Sequence, residues 1–219
     1  MMSEIPKCVI PVSGGIDSTV ILHWVASEVS REIHAVSFNY GQRHFDREMT
    51  CAIRSCYFQS ETHKRINLDF FKDIVTTSSL TNDDIDVAKT KDVLGDPQTV
   101  NYVPNRNMMM LSICTAYAES IGAEEVYHGA ALVDSQAGFW DGSTEFLQAI
   151  NQVNALNRRN RVNVIAPLIL KSKKDIIELG VQTKVEFDQT WTCYEGEEEA
   201  CGECTACSSR IQGFIDAGY

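Results

Sequence analysis

The sequence predicts an α/β fold, a doubly wound parallel sheet followed by a small cysteine-rich C-terminal segment. Three observations predict it. Short apolar runs alternate with stretches of helical periodicity, the first run ends in a serine- and glycine-rich turn, and four cysteines crowd into residues 193–207. At 219 residues the chain suffices for one full domain and at most a small appended module, so residues 1–189 are assigned to the domain and 190–219 to the segment packed on it.

Residues 7–12 are an apolar run, after which Val20, Ile21, Trp24 and Val25 recur at helical spacing: strand, loop, helix. Residues 33–39 form a second β-rich run, 45–58 a second amphipathic helix and 63–68 a third strand. The polar stretch 76–101, with Gly95 and Pro97, reads as a long loop enclosing a short helix. Pro104 opens an apolar helix over 108–121, and 125–129 makes a fourth strand. Residues 143–159 read as a helix and 162–166 as a strand; in the helix at 172–182, Ser172 and Asp175 match a capping box. Such alternation gathers ligands at the carboxyl ends of the strands.

A net charge of −11 excludes a surface built to neutralise nucleic-acid phosphates and favours a small-molecule substrate. No run approaches the roughly 18 apolar residues that cross a bilayer, and residues 1–7 lack a signal-peptide layout, so a cytoplasmic protein is expected. Cys8, Cys51, Cys56 and Cys114 sit in apolar patterns and read as small core residues.

Ser13, Gly14, Gly15, Ile16, Asp17, Ser18 and Thr19 lie between the first strand and first helix, where free N–H groups and the helix dipole favour an anion. The glycines allow close approach, and the hydroxyls of Ser13, Ser18 and Thr19 add donors. Asp17 beside an anion suits holding Mg²⁺ or fixing the loop by accepting backbone N–H groups. No Gly-Lys-Ser follows, so this is not the loop of kinase-type NTPases. Lys173, at a late helix start, is a second phosphate ligand able to follow departing charge.

Cys193, Cys201, Cys204 and Cys207 have the spacing C-x7-C-x2-C-x2-C, with Gly202 permitting a tight turn. Four thiolates fit a closed, structural Zn²⁺ site; an iron–sulfur cluster and disulfides are the rivals. The metal would tie the acidic stretch 195–199, read as a solvated loop, to the domain.

The loop resembles the pyrophosphate-loop signature of N-type ATP pyrophosphatases, which join AMP to an acceptor and release pyrophosphate. Together with Tyr40-Gly41-Gln42-Arg43-His44, Tyr102-Val103-Pro104-Asn105-Arg106-Asn107 and Trp191-Thr192-Cys193-Tyr194, loop and cysteines resemble the 7-cyano-7-deazaguanine synthase (QueC) family over nearly the whole chain. The resemblance implies a fold of the adenine-nucleotide alpha-hydrolase-like type, structural Zn²⁺, and a homodimer. It also implies ATP-dependent adenylylation of 7-carboxy-7-deazaguanine, amidation with ammonia and conversion to the nitrile.

On this reading Arg43 and Arg106 clamp a carboxylate or phosphate, while Gln42 and Asn107 read the amide-like edge of the base. Arg106 stands near a helix start, where a cation is unfavourable unless an anion sits there. Tyr40 stacks on a ring, and Asp134, Asp141 and Glu145 accept hydrogen bonds from the base, with helix capping by Asp141 and a plain surface charge at Glu145 as the alternatives. Typical members carry Tyr-Pro-Asp-Cys-Arg where this chain has Phe139-Trp140-Asp141-Gly142-Ser143. A Gly-Ser pair there would widen the mouth and admit an amine larger than ammonia. The alternative is therefore a relative that stops at the amide or joins the deazaguanine carboxylate to another amine, such as a protein amine. A nucleotide-binding module without turnover and a tRNA-thiolating enzyme are further readings, the latter disfavoured by the acidic balance.

Overall fold

A computed structural model describes residues 5–93 and 98–219. Five strands, β1 (Lys7–Pro11), β2 (Glu32–Asn39), β3 (Thr62–Asn67), β4 (Glu125–Tyr127) and β5 (Asn163–Ile165), form one parallel sheet in the order 3-2-1-4-5. Each lies within two residues of its expected place. Central β1 is an unbroken apolar run because both its faces are covered, whereas edge strand β3 reads Thr-His-Lys-Arg-Ile-Asn and is largely exposed.

β1 divides its side chains between two cores. Cys8 and Ile10 face α1 (Ile16–Trp24), α2 (Phe45–Gln59) and α7 (Lys173–Gln182), whereas Val9 faces α4 (Arg106–Ile121) and α6 (Thr144–Asn154). The short helices α3 (Phe71–Ile74) and α5 (Leu132–Gln136) lie in the connections, and α1 runs on into a π-helical turn at Val25–Val29. Cys8, Cys56 and Cys114 are buried and Cys51 is half-buried. No helix among the described residues is long and apolar enough to cross a membrane.

Sheet order reverses between β1 and β4, and the crevice there, at the carboxyl ends of both strands, is where this topology admits a ligand. The Ser172–Asp175 capping box at α7 forms as expected. Other boundaries differ from expectation for local reasons. α4 begins at Arg106 because Asn105 takes the left-handed conformation (φ 56°) and turns the chain into the helix. The helix expected to reach residue 159 stops at Asn154: Asn151 clips onto Val164 N and O at 2.8 Å, and Asn157 Oδ1 accepts from the N–H groups of Arg159 and Asn160. In the long loop the short helix is a 3-10 turn at Thr90–Asp92; Gly95 and Pro97 lie outside the described residues. Buried Asn101 fastens that loop through Ser79 Oγ and both backbone groups of Ala88.

The C-terminal segment contains a helix that cysteine spacing concealed, α8 (Thr205–Ala217), whose N-cap Cys204 accepts the Cys207 N–H on its sulfur. α8 packs on α7, and a Cβ at Gly213 would stand 2.3 Å from Lys173 Cγ.

Gly14 has φ +88°, and a Cβ there would meet Glu48 O at 2.3 Å, whereas Gly122 (φ +74°) faces open space. Gly122→Ala is expected to lower unfolding stability by about 1 kcal/mol, the left-handed cost alone. Gly14→Ala is expected to lose at least about 2 kcal/mol more through displacement of α2. Urea denaturation of both variants measures this; equal losses would refute the steric reading.

Candidate functional site

A cavity of about 310 Å³ opens at the switch point, and its wall joins the glycine loop, the starts of α2 and α4, the end of β4, α5 and the C-terminal segment. Ser13, Gly15, Asp17 and Ser18 line it, with Gly14 and Thr19 behind. The loop is held by its own hydroxyls: Ser18 Oγ accepts from Ser13 N and donates to Gly15 O, both at 3.2 Å, and Gly15 N donates to Ser13 Oγ at 3.2 Å. Thr19 Oγ1 is buried without a partner. Asp17 accepts two hydrogen bonds from the Lys173 ammonium, at 2.6 and 2.9 Å, and not the backbone N–H groups expected of it. Both expected phosphate-site charges are thus present, and each neutralises the other.

Arg106 occupies the opposite wall. Its guanidinium lies over the Tyr40 ring, 5.7 Å from the centroid, and donates only long bonds to neutral acceptors, Tyr40 Oη at 3.3 Å and Asn107 Oδ1 at 3.4 Å. Asp141 is buried beneath the start of α4 and accepts the Asn107 backbone N–H, so its place is that of a cap across the chain. Burial raises its pKa, with Arg106 and that N–H working against the rise. Tyr40, Asn107 and Asp134 also line the cavity, but Asp134 spends one oxygen on Ala131 N at 2.8 Å.

Three residues expected at the substrate have other partners in this structure. Gln42 reaches the wall, yet its amide is consumed internally, Oε1 accepting from Tyr40 N at 2.9 Å and Nε2 donating to Phe38 O at 3.1 Å. Arg43 turns away to donate to the carbonyls of Asn82 and Ile85 at 3.0 Å, with Glu195 at 3.6 Å, so it fastens the long loop. Glu145 is exposed in the first turn of α6, bonded to Thr144 Oγ1, and stays outside the cavity. The Gly142–Ser143 pair does not widen a mouth. A Cβ on Gly142 would lie 2.6 Å from Asp134 Cβ, and Ser143 caps α6 by accepting from Phe146 N.

Sequence reasoning overlooked His44, Glu48 and His128, all on the cavity wall. Burial raises the Glu48 pKa to about 7 against the influence of Gln42 and Arg106. Burial, then Arg106, lowers His44 to about 3 and His128 to about 4. Asp134 is raised to about 6, by burial first and by Asp17 second. Burial thus shifts Glu48 and Asp134 toward the protonated form and both imidazoles toward the neutral form, while Arg106 opposes the shift at the acids and adds to it at the imidazoles. The signal in the sequence was the i,i+4 spacing of His44 and Glu48 at a helix start, which brings them to 3.6 Å.

The sulfurs of Cys193, Cys201, Cys204 and Cys207 lie within 4.8 Å of one another. Backbone N–H groups of Cys201, Cys204 and Cys207 point at the preceding cysteine sulfurs at 3.3, 3.3 and 3.5 Å, a setting that stabilises thiolates; four soft donors with such support fit a metal ion. Lys89 pairs with Cys204 as an isolated antiparallel bridge and its ammonium with Glu195, so Glu195 is not a solvated residue; Glu197, Glu198 and Glu199 are exposed.

A family model described as queuosine biosynthesis protein QueC matches residues 7–218. A 7-cyano-7-deazaguanine synthase of Oceanobacillus iheyensis is 42% identical over 215 residues, covering 97% of this chain and 95% of that protein. Another, of Pseudoalteromonas atlantica, is 37% identical and covers 96% and 94%. Among solved structures, the U34-tRNA thiolase NcsA of Methanococcus maripaludis with its iron–sulfur cluster superposes with TM-score 0.53 at 14% identity, over 97% of this chain and 68% of that one, a likeness of fold alone.

Two measurements test the site. Because the Glu48 pKa is raised from 4.5 to about 7, the folded chain holds a proton that the unfolded chain has lost in this window. Its contribution to stability therefore falls as pH rises from about 4.5 to 7. Glu48→Gln removes that fall and should gain on wild type by about 1.4 kcal/mol per pH unit across the window in urea titrations; parallel profiles would refute the raised carboxyl. Cys201→Ser is expected to lose most bound metal by elemental analysis and to lower Tm, since one of four ligands is gone; full metal content would remove the cluster from consideration.

Proposed function

The chain belongs to the QueC family, and from that premise we propose that it activates 7-carboxy-7-deazaguanine with ATP and converts it with ammonia to the amide and on to 7-cyano-7-deazaguanine, as a carbon–nitrogen ligase. The observation that carries this reading is Arg106, a cation with no carboxylate among its hydrogen-bond partners in the described residues, lining the same cavity as the phosphate-type loop. A carboxylate bound there stands across from an ATP whose phosphates lie on the loop.

Attack of the carboxylate oxygen on the α-phosphorus breaks the bond to the β-phosphate oxygen and releases pyrophosphate. Ammonia then attacks the acyl carbon and AMP leaves, giving the amide; a second ATP adenylylates the amide oxygen with release of pyrophosphate, and departure of that oxygen on AMP with loss of the nitrogen's protons gives the nitrile. Arg106 orients the acid, Ser13, Ser18 and the loop N–H groups receive phosphate oxygens, and Lys173 moves from Asp17 to the departing charge. Asp17, freed once Lys173 has moved, would hold Mg²⁺, which would supply neutralisation of the polyphosphate. The four cysteines would hold Zn²⁺, which would brace the C-terminal segment. The near-neutral Glu48, with uncharged His44 and His128 beside it, is suited to take a proton from the entering nitrogen.

The second reading, a conjugating enzyme with a larger amine, drew on a widened mouth at Gly142–Ser143. Gly142 is instead packed against Asp134, and no other contact favours that reading.

With 7-carboxy-7-deazaguanine, ATP and ammonium, the expected products are AMP, pyrophosphate, amide and then nitrile by mass spectrometry. Arg106→Met is expected to lose about a hundredfold in kcat/KM while still binding ATP. Release of ADP and orthophosphate would sink the mechanism; amide without nitrile would restrict it to the first step.

A further inference from the structure

The C-terminal segment touches the phosphate loop directly. Trp191 N donates to Gly14 O at 3.0 Å, and Trp191 O lies 3.4 Å from where a Cβ on Gly15 would stand. At Gly213 α8 meets Lys173 so closely that no side chain fits between them. These two contacts carry Arg210, one turn before Gly213, into the cavity wall that holds Ser13, Asp17 and Lys173.

The Arg210 guanidinium is half-buried and bonded to neutral oxygens alone. Nη1 donates to Thr190 Oγ1 at 2.8 Å, Thr192 Oγ1 at 3.1 Å and Thr190 O at 3.5 Å; Nη2 donates to Phe187 O at 2.7 Å. Among the described residues no carboxylate pairs with it. Burial lowers its pKa, because the charge sits where water solvates it poorly. Two more arginines flank it. Arg47 lies over the Trp191 ring at 5.5 Å and Arg54 donates to Gln189 Oε1, neither in an ion pair among the described residues. Lys173 is already neutralised by Asp17, and Arg106 stands across the cavity with Tyr40. Within a chain of net charge −11, Arg210 is, among the described residues, a cation without a carboxylate partner on the cavity wall that holds the loop.

We propose that Arg210 is a ligand of the nucleotide's polyphosphate, binding the β and γ oxygens that leave as pyrophosphate, so that the cysteine-bearing segment supplies part of the nucleotide site. This placement rests on the ATP-dependent reading above. The threonine bonds hold the guanidinium fork in place before the anion arrives, and its free N–H groups remain for phosphate oxygens.

Calorimetric titration of wild type, Arg210→Met and Arg210→Lys with ATP, pyrophosphate and AMP, each with metal content measured, tests it. Arg210→Met is expected to bind ATP and pyrophosphate at least about tenfold more weakly while AMP affinity and metal content hold, and Arg210→Lys to recover most of the loss because charge is restored. A purely structural role predicts the opposite pattern, since lysine cannot reproduce the threonine fork. Arg210→Met with wild-type ATP and pyrophosphate affinity, or with AMP weakened as much as ATP, overturns the proposal and leaves the ATP reading standing. Wild type that binds no nucleotide overturns both.

Discussion

Gly14 is the point on which this structure turns. Its left-handed backbone lies so close under α2 that the Glu48 carbonyl fills the place of a side chain, and its own carbonyl accepts from Trp191. One residue therefore sets the distance between the loop, the helix that carries His44 and Glu48, and the segment that follows residue 189. The cavity exists because these three meet without a side chain between them.

Charge inside the cavity follows from the same closeness. Burial disfavours charge on Glu48, Asp134 and the two imidazoles, whereas Asp17 and Lys173 form an ion pair and the guanidiniums of Arg106 and Arg210 line the same cavity. Such a site is suited to anions. Within a protein of net charge −11, the guanidiniums on its wall supply positive potential at the cavity.

Much of this was legible in the sequence. All five strands, the loop, the capping box and the metal-type cysteines follow from local patterns, because periodicity, glycine turns and ligand spacing are themselves local. What escaped depends on contacts between distant segments. Arg43 bears the right chemistry, but its partners lie on the 76–93 loop that only folding brings near, whereas the Gln42 amide is taken by backbone two and four residues away. Glu145 carries the right charge on the wrong face. His44, Glu48, His128 and Arg210 acquire their character from burial, which no neighbouring letter encodes. α8 went unseen because its first turn is written in cysteines and threonine, residues that say metal before they say helix.

The hydrogen bond from Trp191 to Gly14 joins a turn to a brace that is translated long after it. While the ribosome is still translating, the emerging loop has its glycines and serines but lacks the partner that stiffens it, and closing so wide a chain loop is a late and slow event in folding. A polypeptide cut short before residue 191 therefore has the glycine loop without the segment that completes the cavity around it.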